Sequence, residues 1–175
     1  MEIVYYPDPV LRRRAAPVEE INDEVRGRVR EMFELMYEAG GVGLAAPQVG
    51  WSAQLCVVNP TPDDRSAEFV VVNPVLVEAE GSEVAEEGCL SLPEVRGNVG
   101  RWTRVRVCWY DLDGRRMEQV AVGLLARIFQ HEIDHLEGRL IIDRMTPASR
   151  LSVRGALKEL EREFKARARG GSTSR

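Results

Sequence analysis

Residues 130–138 read QHEIDHLEG, and this stretch holds both histidines of the 175-residue chain. His131 and His135 stand four positions apart, and residues at that spacing lie on one face of an α-helix, about 5–6 Å apart at their β-carbons. Two imidazoles at that separation can bind one metal ion, with Glu132 beside it. The pattern H-E-x-x-H is typical of two histidine ligands and a glutamate that acts as general base on the attacking water.

The alternative is that these are ordinary hydrogen-bonded histidines, which are more common on helices than metal ligands. Here, however, the whole histidine content of the chain lies on one predicted helical face. We therefore predict a divalent metal site. A catalytic site of this kind normally has three protein ligands and one open position, so a third ligand must come from elsewhere in the chain.

Three cysteines are the first candidates, and their odd number argues against a disulfide framework. Cys56 and Cys108 lie in strand-like runs, where a buried structural cysteine is expected. Cys89 lies in EGCLSLP, residues 87–93, where glycine and proline let the chain bend. A side chain in such a segment can be presented to a site.

The composition indicates one domain with a proper core, which we place at residues 1–169. Charged residues make up 30% of the chain and the net charge is −4, so the overall balance does not indicate a DNA-binding or membrane-surface protein. The N-terminal run lacks the basic head and apolar region of a signal peptide, and no apolar stretch is long enough to span a bilayer. We expect a cytoplasmic monomer.

Helical spacing predicts three long helices. The first begins at Asn22 as N-cap, buries Val25, Val29, Met32 and Met36, and ends near the glycines at 40–41. The second begins at Gly123 and carries the histidines. Its predicted buried stripe consists of Leu125, Phe129, Ile133 and Leu136, and its other side of Leu124, Ile128, His131, Glu132 and His135.

The third helix is predicted over 148–167, with Leu151, Leu157, Leu160 and Phe164 as its apolar positions. Residues 150–175 carry eight Lys or Arg against three Glu. A solvated helix face is the default interpretation of such a run, but docking onto RNA would also use it. The tail at 170–175 is expected to be disordered.

Strands are predicted at 53–59, 69–77, 104–110 and 117–122, with the second interrupted by Asn73-Pro74 and short additions at 84–85 and Val99. Asp113-Gly114 predicts a type I′ turn between the last two long strands. The fold class is therefore α+β: short, mostly antiparallel sheets packed around a central metal-binding helix, with an N-terminal and a C-terminal helix.

A small-residue stretch, GVGLAAPQ at residues 41–48, precedes the first strand. Its glycines allow another chain to approach the backbone closely, although a tight turn into the strand explains the composition equally well. Gln48 favours the first interpretation, because a loop amide can donate a hydrogen bond to a developing oxyanion.

Taken together, GVGLAAPQ, EGCLS at residues 87–91 and QHEIDHL at residues 130–136, in this order, closely resemble the peptide deformylase family. The resemblance extends to PDPVLR at residues 7–12. It implies a metal-dependent hydrolase that removes the N-formyl group from the initiator methionine of nascent bacterial polypeptides and releases formate. N-formylmethionyl nascent peptides are then the partners, and ribosome contact through the basic C-terminal helix becomes a hypothesis.

The resemblance also implies a role for each site residue. Cys89 becomes the third ligand beside His131 and His135, and the ion is Fe(II) in the cell, with Zn(II) or Ni(II) accommodated in a purified protein. Glu132 is the general base, while Gln48 and the backbone N–H of Leu90 stabilise the oxyanion. The substrate main chain aligns on Gly43, and Val42 and Ile128 line the methionine pocket.

Two alternatives are set against this hypothesis. A zinc endopeptidase would take a third ligand from Glu159, Glu161 or Glu163, and a structural Cys/His metal module would need a fourth protein ligand such as Cys56 or Cys108. One further expectation concerns the ligand segment: Glu87 pairs with Arg101 and braces it, the alternative being two unrelated surface charges.

Overall fold

The computed structural model describes residues 1–170 of the chain, and side chains to residue 167. Seven strands and five α-helices follow one another in this part. In chain order they are α1 Asp23–Glu38, β1 Gly43–Ala45, β2 Leu55–Val58, β3 Phe69–Glu80, β4 Glu83–Cys89, β5 Leu92–Arg101, β6 Arg104–Tyr110, β7 Arg116–Val122, α2 Gly123–Leu136, α3 Ile141–Arg144, α4 Pro147–Ser152 and α5 Arg154–Gly170.

The strands form two antiparallel sheets on either side of the histidine-bearing helix α2. One sheet has five strands in the order β1-β2-β3-β6-β7, and the other is the two-stranded ribbon β4-β5. Phe129 and Leu136 of α2 lie in one buried cluster with Cys56, Val58 and Val107 of the larger sheet. The predicted α+β class with antiparallel sheets around this helix is confirmed.

Helix α1 begins and ends where the sequence places its signals. Asn22 accepts a hydrogen bond from the backbone N–H of Val25 at 3.0 Å, and Gly40 adopts a φ of 69° just past the last turn, as a left-handed C-terminal cap requires. The predicted apolar stripe is buried. It packs against Leu44, Leu55 and Val57 and so supports the strands that lead into the site.

Helix α2 differs from the predicted two-sided pattern, because it is enclosed on nearly every side. Ala126, Gln130 and Asp134 are buried, while the predicted core residues Leu125 and Ile133 are only partly buried. The second sheet explains the difference: β4-β5 covers the face that a helix on a single sheet would turn to water.

Three strand and turn predictions were wrong in detail. Strand β3 continues to Glu80 beyond an irregularity at Asn73, which has a φ of 50°. Strands β4 and β5 are longer than expected, and Cys89 ends β4 rather than lying in a loop. The turn at residues 111–115 is not type I′, because that type needs a positive φ at both central residues and, of Asp113 and Gly114, only Gly114 has one. The Asp111 carboxylate instead accepts the N–H groups of Asp113 at 2.8 Å and Arg115 at 2.9 Å.

The predicted C-terminal helix is divided in two at Val153, which is buried. Leu151, one of the predicted apolar positions of this helix, is 69% exposed, whereas Val153 is buried in the core. Leu157, Leu160 and Phe164 are partly buried, as expected for one apolar face of α5. Within the predicted tail, Gly170 closes α5 and residues 171–175 lie outside the described residues. None of the described helices is long and apolar enough to cross a membrane.

Candidate metal centre and active site

Three side chains from two elements converge at the inner side of α2. The Nε2 atoms of His131 and His135 lie 3.3 Å apart, and Sγ of Cys89, at the end of β4, lies 3.3 Å from Nε2 of His135. All three ligand atoms lie within 4.8 Å of one another.

This donor set fits a divalent transition metal. Metal–nitrogen bonds of about 2.0–2.1 Å at a tetrahedral angle put two nitrogens roughly 3.3 Å apart, which matches the histidine pair. One thiolate and two imidazoles are ligands that iron, zinc and nickel accept. With three protein ligands, a fourth position is left for water or substrate, as in catalytic sites.

Glu132 lies next to His131 on α2 and lines the same cleft, but it is not part of the group of metal-ligand atoms. It is 3% exposed, and its Oε2 has no hydrogen-bond partner among the described residues. Burial raises the pKa of Glu132 to about 7, although His131 and Arg101 favour its charged form. A carboxylate with such a pKa can both accept and return a proton near neutral pH.

Gln48 closes the site from the side of β1. It lies in a short 3₁₀ helix, Ala46–Val49, and is 1% exposed. Its Oε1 accepts the N–H of Ala45 at 2.9 Å, and its Nε2 lies 3.2 Å from Oγ of Ser91 and 3.6 Å from Sγ of Cys89. Both ends of the Gln48 amide therefore have partners, and its NH2 group lies on the side of the ligand Cys89. Leu90 follows Cys89 directly in the two-residue turn between β4 and β5.

A cleft of about 670 Å³ opens over this site. Val42, Gly43 and Ile128 line it together with His131 and Glu132. The structure thus brings every predicted site residue to one place, although their individual roles stay predictions.

Comparison with known proteins identifies the family. A family model described as polypeptide deformylase matches residues 1–151. This chain belongs to the polypeptide deformylase family. It is therefore a metal-dependent hydrolase that removes the N-formyl group from nascent polypeptides.

Individual deformylases are similar over almost the whole chain. The peptide deformylase of Acidobacterium capsulatum is 46% identical over 164 residues, covering 91% of this chain and 95% of its own. That of Syntrophobacter fumaroxidans is 49% identical over 151 residues, covering 86% and 89%. The crystal structure of the Plasmodium falciparum peptide deformylase superposes with a TM-score of 0.92 at 43% identity, covering 94% of this chain and 98% of that one.

The expected Glu87–Arg101 pair is present and buried in the deformylase. Two hydrogen bonds join the side chains, Nε to Oε1 at 2.9 Å and Nη2 to Oε2 at 3.0 Å. Oε2 of Glu87 also lies 3.1 Å from Nδ1 of His131. Burial opposes the charge of Glu87, but its hydrogen bonds to His131 and Arg101 outweigh burial and lower its pKa to about 2. The carboxylate thus stays charged beside the metal ligand.

Sequence reasoning missed the far end of this network. Arg101 also binds Asp134 at 2.5 Å, and Asp134 accepts from Arg144 at 2.9 Å. Asp134 lies between the two histidines in the sequence, but its carboxylate binds Arg101 and Arg144 and is not part of the group of metal-ligand atoms. A charged residue that is buried needs a partner, and its partners come from other elements, so the local sequence carries no signal for them.

The ligands of the two alternative hypotheses lie elsewhere. Glu161 accepts a hydrogen bond from the Tyr6 hydroxyl at 2.8 Å on α5, Cys56 is fully buried in β2, and Cys108 lies 3.7 Å from a guanidinium nitrogen of Arg116. Within residues 1–170, the side chains whose ligand atoms lie close enough together to bind one metal ion are Cys89, His131 and His135.

Proposed function

We propose that Cys89, His131 and His135 hold the divalent ion of this deformylase. The observation that carries the proposal is the convergence of their three ligand atoms within 4.8 Å. The ion supplies a Lewis acid for the formyl oxygen and lowers the pKa of a water molecule. The test is a deformylase assay on formyl-Met-Ala-Ser with metal analysis of the same sample. One metal per chain and formate release are expected, and full activity in a sample stripped of metal would overturn the assignment.

Glu132 is the general base in this proposal. Its carboxylate takes a proton from the attacking water and returns it to the nitrogen of the leaving amine, so the products are formate and a free methionine terminus. The burial that raises its pKa to about 7 supports this role. Such a group is protonated and deprotonated at comparable cost at neutral pH.

Gln48 and the backbone N–H of Leu90 stabilise the negative charge that develops on the formyl oxygen. The support for Gln48 is its fixed amide, whose Oε1 is occupied by Ala45 and whose Nε2 faces Cys89. A donor held in place before the reaction is worth roughly 3–4 kcal/mol in known oxyanion holes. Gln48→Leu should therefore lower kcat by about 100-fold or more.

Substrate recognition is assigned to β1 and the cleft wall. Strand β1 is an edge of the five-stranded sheet, so a substrate main chain can add to it as a further strand at Gly43. Val42 and Ile128, both lining the cleft, then contact the methionine side chain. Replacing methionine by alanine in the formyl substrate should raise KM more than it lowers kcat.

Fe(II) is the proposed ion in the cell, since one soft thiolate and two imidazoles suit it. Because Fe(II) and its thiolate ligand are both sensitive to oxidation, such a site should lose activity in air. Activity lost in air and restored by Ni(II) supports iron. Stable activity in air with stoichiometric zinc would argue against it.

A basic stripe on α5 supports the further proposal of ribosome contact. Arg154, Lys158, Arg162 and Lys165 recur at spacings of four, four and three, and all are exposed. Leu157, Leu160 and Phe164 occupy the opposite, core-facing side. Cations in a row match a phosphate backbone and make binding salt-dependent, whereas a solvated helix face needs no such alignment.

Charge reversal tests this contact without removing the helix. Lys158→Glu with Arg162→Glu should weaken sedimentation with ribosomes at low salt. A matched reversal of two exposed arginines elsewhere, Arg30→Glu with Arg115→Glu, serves as control. If both double variants bind ribosomes equally well, the basic stripe is only a solvated helix face and the proposed contact is wrong.

We also propose that residues 1–169 act as one domain and as a monomer in the cytoplasm, where nascent chains emerge. Helix α2 supports the single domain, because it packs against both sheets. Light scattering of the purified chain should give a mass near 19.7 kDa, and a dimer mass would contradict the monomer.

A further inference from the structure

Two arginines donate hydrogen bonds to the Glu87 carboxylate. Arg101, with a side chain 3% exposed, holds it from the interior. Arg127, 16% exposed, holds it from the cleft, with Nη1 donating to Oε1 of Glu87 at 2.7 Å and to the carbonyl of Val99 at 3.2 Å. None of the roles proposed for the metal ligands, the general base or the oxyanion donors involves Arg127.

Four polar contacts hold the Glu87 carboxylate in one orientation. Oε1 receives Nε of Arg101 and Nη1 of Arg127, while Oε2 receives Nη2 of Arg101 and faces Nδ1 of His131. Because four partners fill the lone pairs of a carboxylate, the plane of the group is fixed and Oε2 is aimed at the imidazole. A carboxylate at Nδ1 selects the tautomer with its proton there, which leaves the Nε2 lone pair of His131 directed towards Cys89 and His135.

Arg127 differs from Arg101 in its surroundings. It lies four residues before His131 on α2, hence on the same helical face, and it lines the cleft together with Leu124 and Ile128. Arg101 divides its donors between Glu87 and Asp134. Arg127 instead joins Glu87 of β4 to Val99 of β5 and fastens both strands to the ligand helix at the wall where substrate enters.

We propose that Arg127 is a positioning residue that acts through Glu87 to orient His131 for metal binding from the wall of the substrate cleft. This inference rests on the proposed metal centre. It adds a function that the sequence hypothesis did not assign: retention of the ion depends on a side chain of the cleft wall. The alkyl part of Arg127 contributes to that wall, while its guanidinium serves the metal ligand.

The test measures zinc loss from the zinc-loaded protein to a chelating dye, well below the unfolding temperature. Arg127→Met keeps the length of the stem but removes the donors, and outer-ligand changes of this kind typically cost about 10–100-fold in metal affinity. We expect zinc to leave this variant about 10-fold faster. Arg104→Met, which removes an exposed arginine paired with Glu80, is the matched control and should lose zinc at the wild-type rate.

A double-mutant cycle separates positioning from general structural support. If Arg127 acts through Glu87, then Arg127→Met should add little to zinc loss in a Glu87→Gln background, whereas independent effects would multiply. Should Arg127→Met fail to fold, Arg127→Lys carries the test. The lysine side chain is one bond shorter, so its ammonium falls short of the position from which Nη1 binds both Glu87 and the Val99 carbonyl, and faster zinc loss is expected from it too.

The outcomes are distinguishable. Zinc loss at the wild-type rate from the folded Arg127 variant, or effects of Arg127→Met and Glu87→Gln that multiply, would overturn this inference while leaving the metal centre intact. A wild-type protein that holds no zinc would overturn the proposed metal centre itself.

Discussion

Gly43 and Glu132 are in direct contact: a β-carbon on residue 43 would lie 2.4 Å from Oε1 of Glu132. The backbone of Gly43 needs no positive φ, so space for the carboxylate, rather than conformational freedom, requires glycine here. The position of the proposed general base therefore depends on the absence of a side chain at residue 43 of β1.

Gly43→Ala should consequently displace Glu132. A shift of about 1 Å in a catalytic group can cost roughly 100-fold in rate, so kcat/KM for formyl-Met-Ala-Ser should fall by about that factor with metal content unchanged. Gly155→Ala, at an α5 position where a β-carbon meets nothing within 4 Å, is the control. Normal activity of Gly43→Ala would show that the carboxylate can move without loss.

Glu132→Gln should abolish turnover and retain both metal and fold. A general base typically contributes about 10²–10⁴-fold to the rate. Because a buried charge is unfavourable, replacing the Glu132 carboxylate by a neutral amide should leave the unfolding temperature equal or higher. Steady-state kinetics, metal analysis and thermal unfolding on one preparation check this. Near-normal deformylation would remove Glu132 from the base role.

Arg101→Met should be among the most destabilising single changes. It leaves Glu87 and Asp134, 5% and 7% exposed at their side chains, as buried carboxylates without their shared partner. Breaking a buried pair in this way typically costs about 3–5 kcal/mol. Denaturant unfolding measures the cost, and Arg96→Met, which removes an exposed pair with Glu86, should change stability little by comparison.

The sequence predicted those features whose cause is local. The Asn22 cap, the Gly40 end of α1 and the apolar stripe between them depend on neighbouring residues alone. The break at Val153 depends instead on a core contact, and the turn at 111–115 on the Asp111 side chain accepting two backbone groups. The helix break lies outside what helical propensity can express, whereas the turn is of the Asx type, which the Asp-Gly pair alone does not distinguish from a type I′ turn.

The site divides in the same way. His131, Glu132 and His135 follow from helical spacing. Cys89 was a candidate from its glycine- and proline-marked segment, but its assignment as third ligand needed the family resemblance, because no spacing relates β4 to α2. Arg127 and Asp134 stayed without a role at the sequence level, since both acquire partners only when the β4-β5 ribbon covers the helix. The one available signal was the presence of charged residues on a helix expected to be central, because a buried charge needs a partner from another element.

Asp143 ties α3 to a short N-terminal 3₁₀ helix, Pro9–Arg12, through an ion pair with Arg12. Burial opposes its charge, but the hydrogen bonds from Arg12 and the N–H of Leu140 outweigh burial and lower the pKa of Asp143. A folded-state pKa below the unfolded value, about 3.9, means that the carboxylate stabilises the fold above that pH. The contribution is lost as pH falls through the folded value.

Asp143→Asn should therefore lower the unfolding free energy at pH 7 by up to about 1 kcal/mol, the range of partly exposed ion pairs. The difference from wild type should shrink as the pH falls below about 4. Chemical unfolding of both proteins in excess chelator, so that metal release does not contribute, measures this at pH 7 and pH 3. A difference that stays constant between the two pH values would mean that Asp143 acts by packing or by neutral hydrogen bonds, because only the charged form can be titrated away.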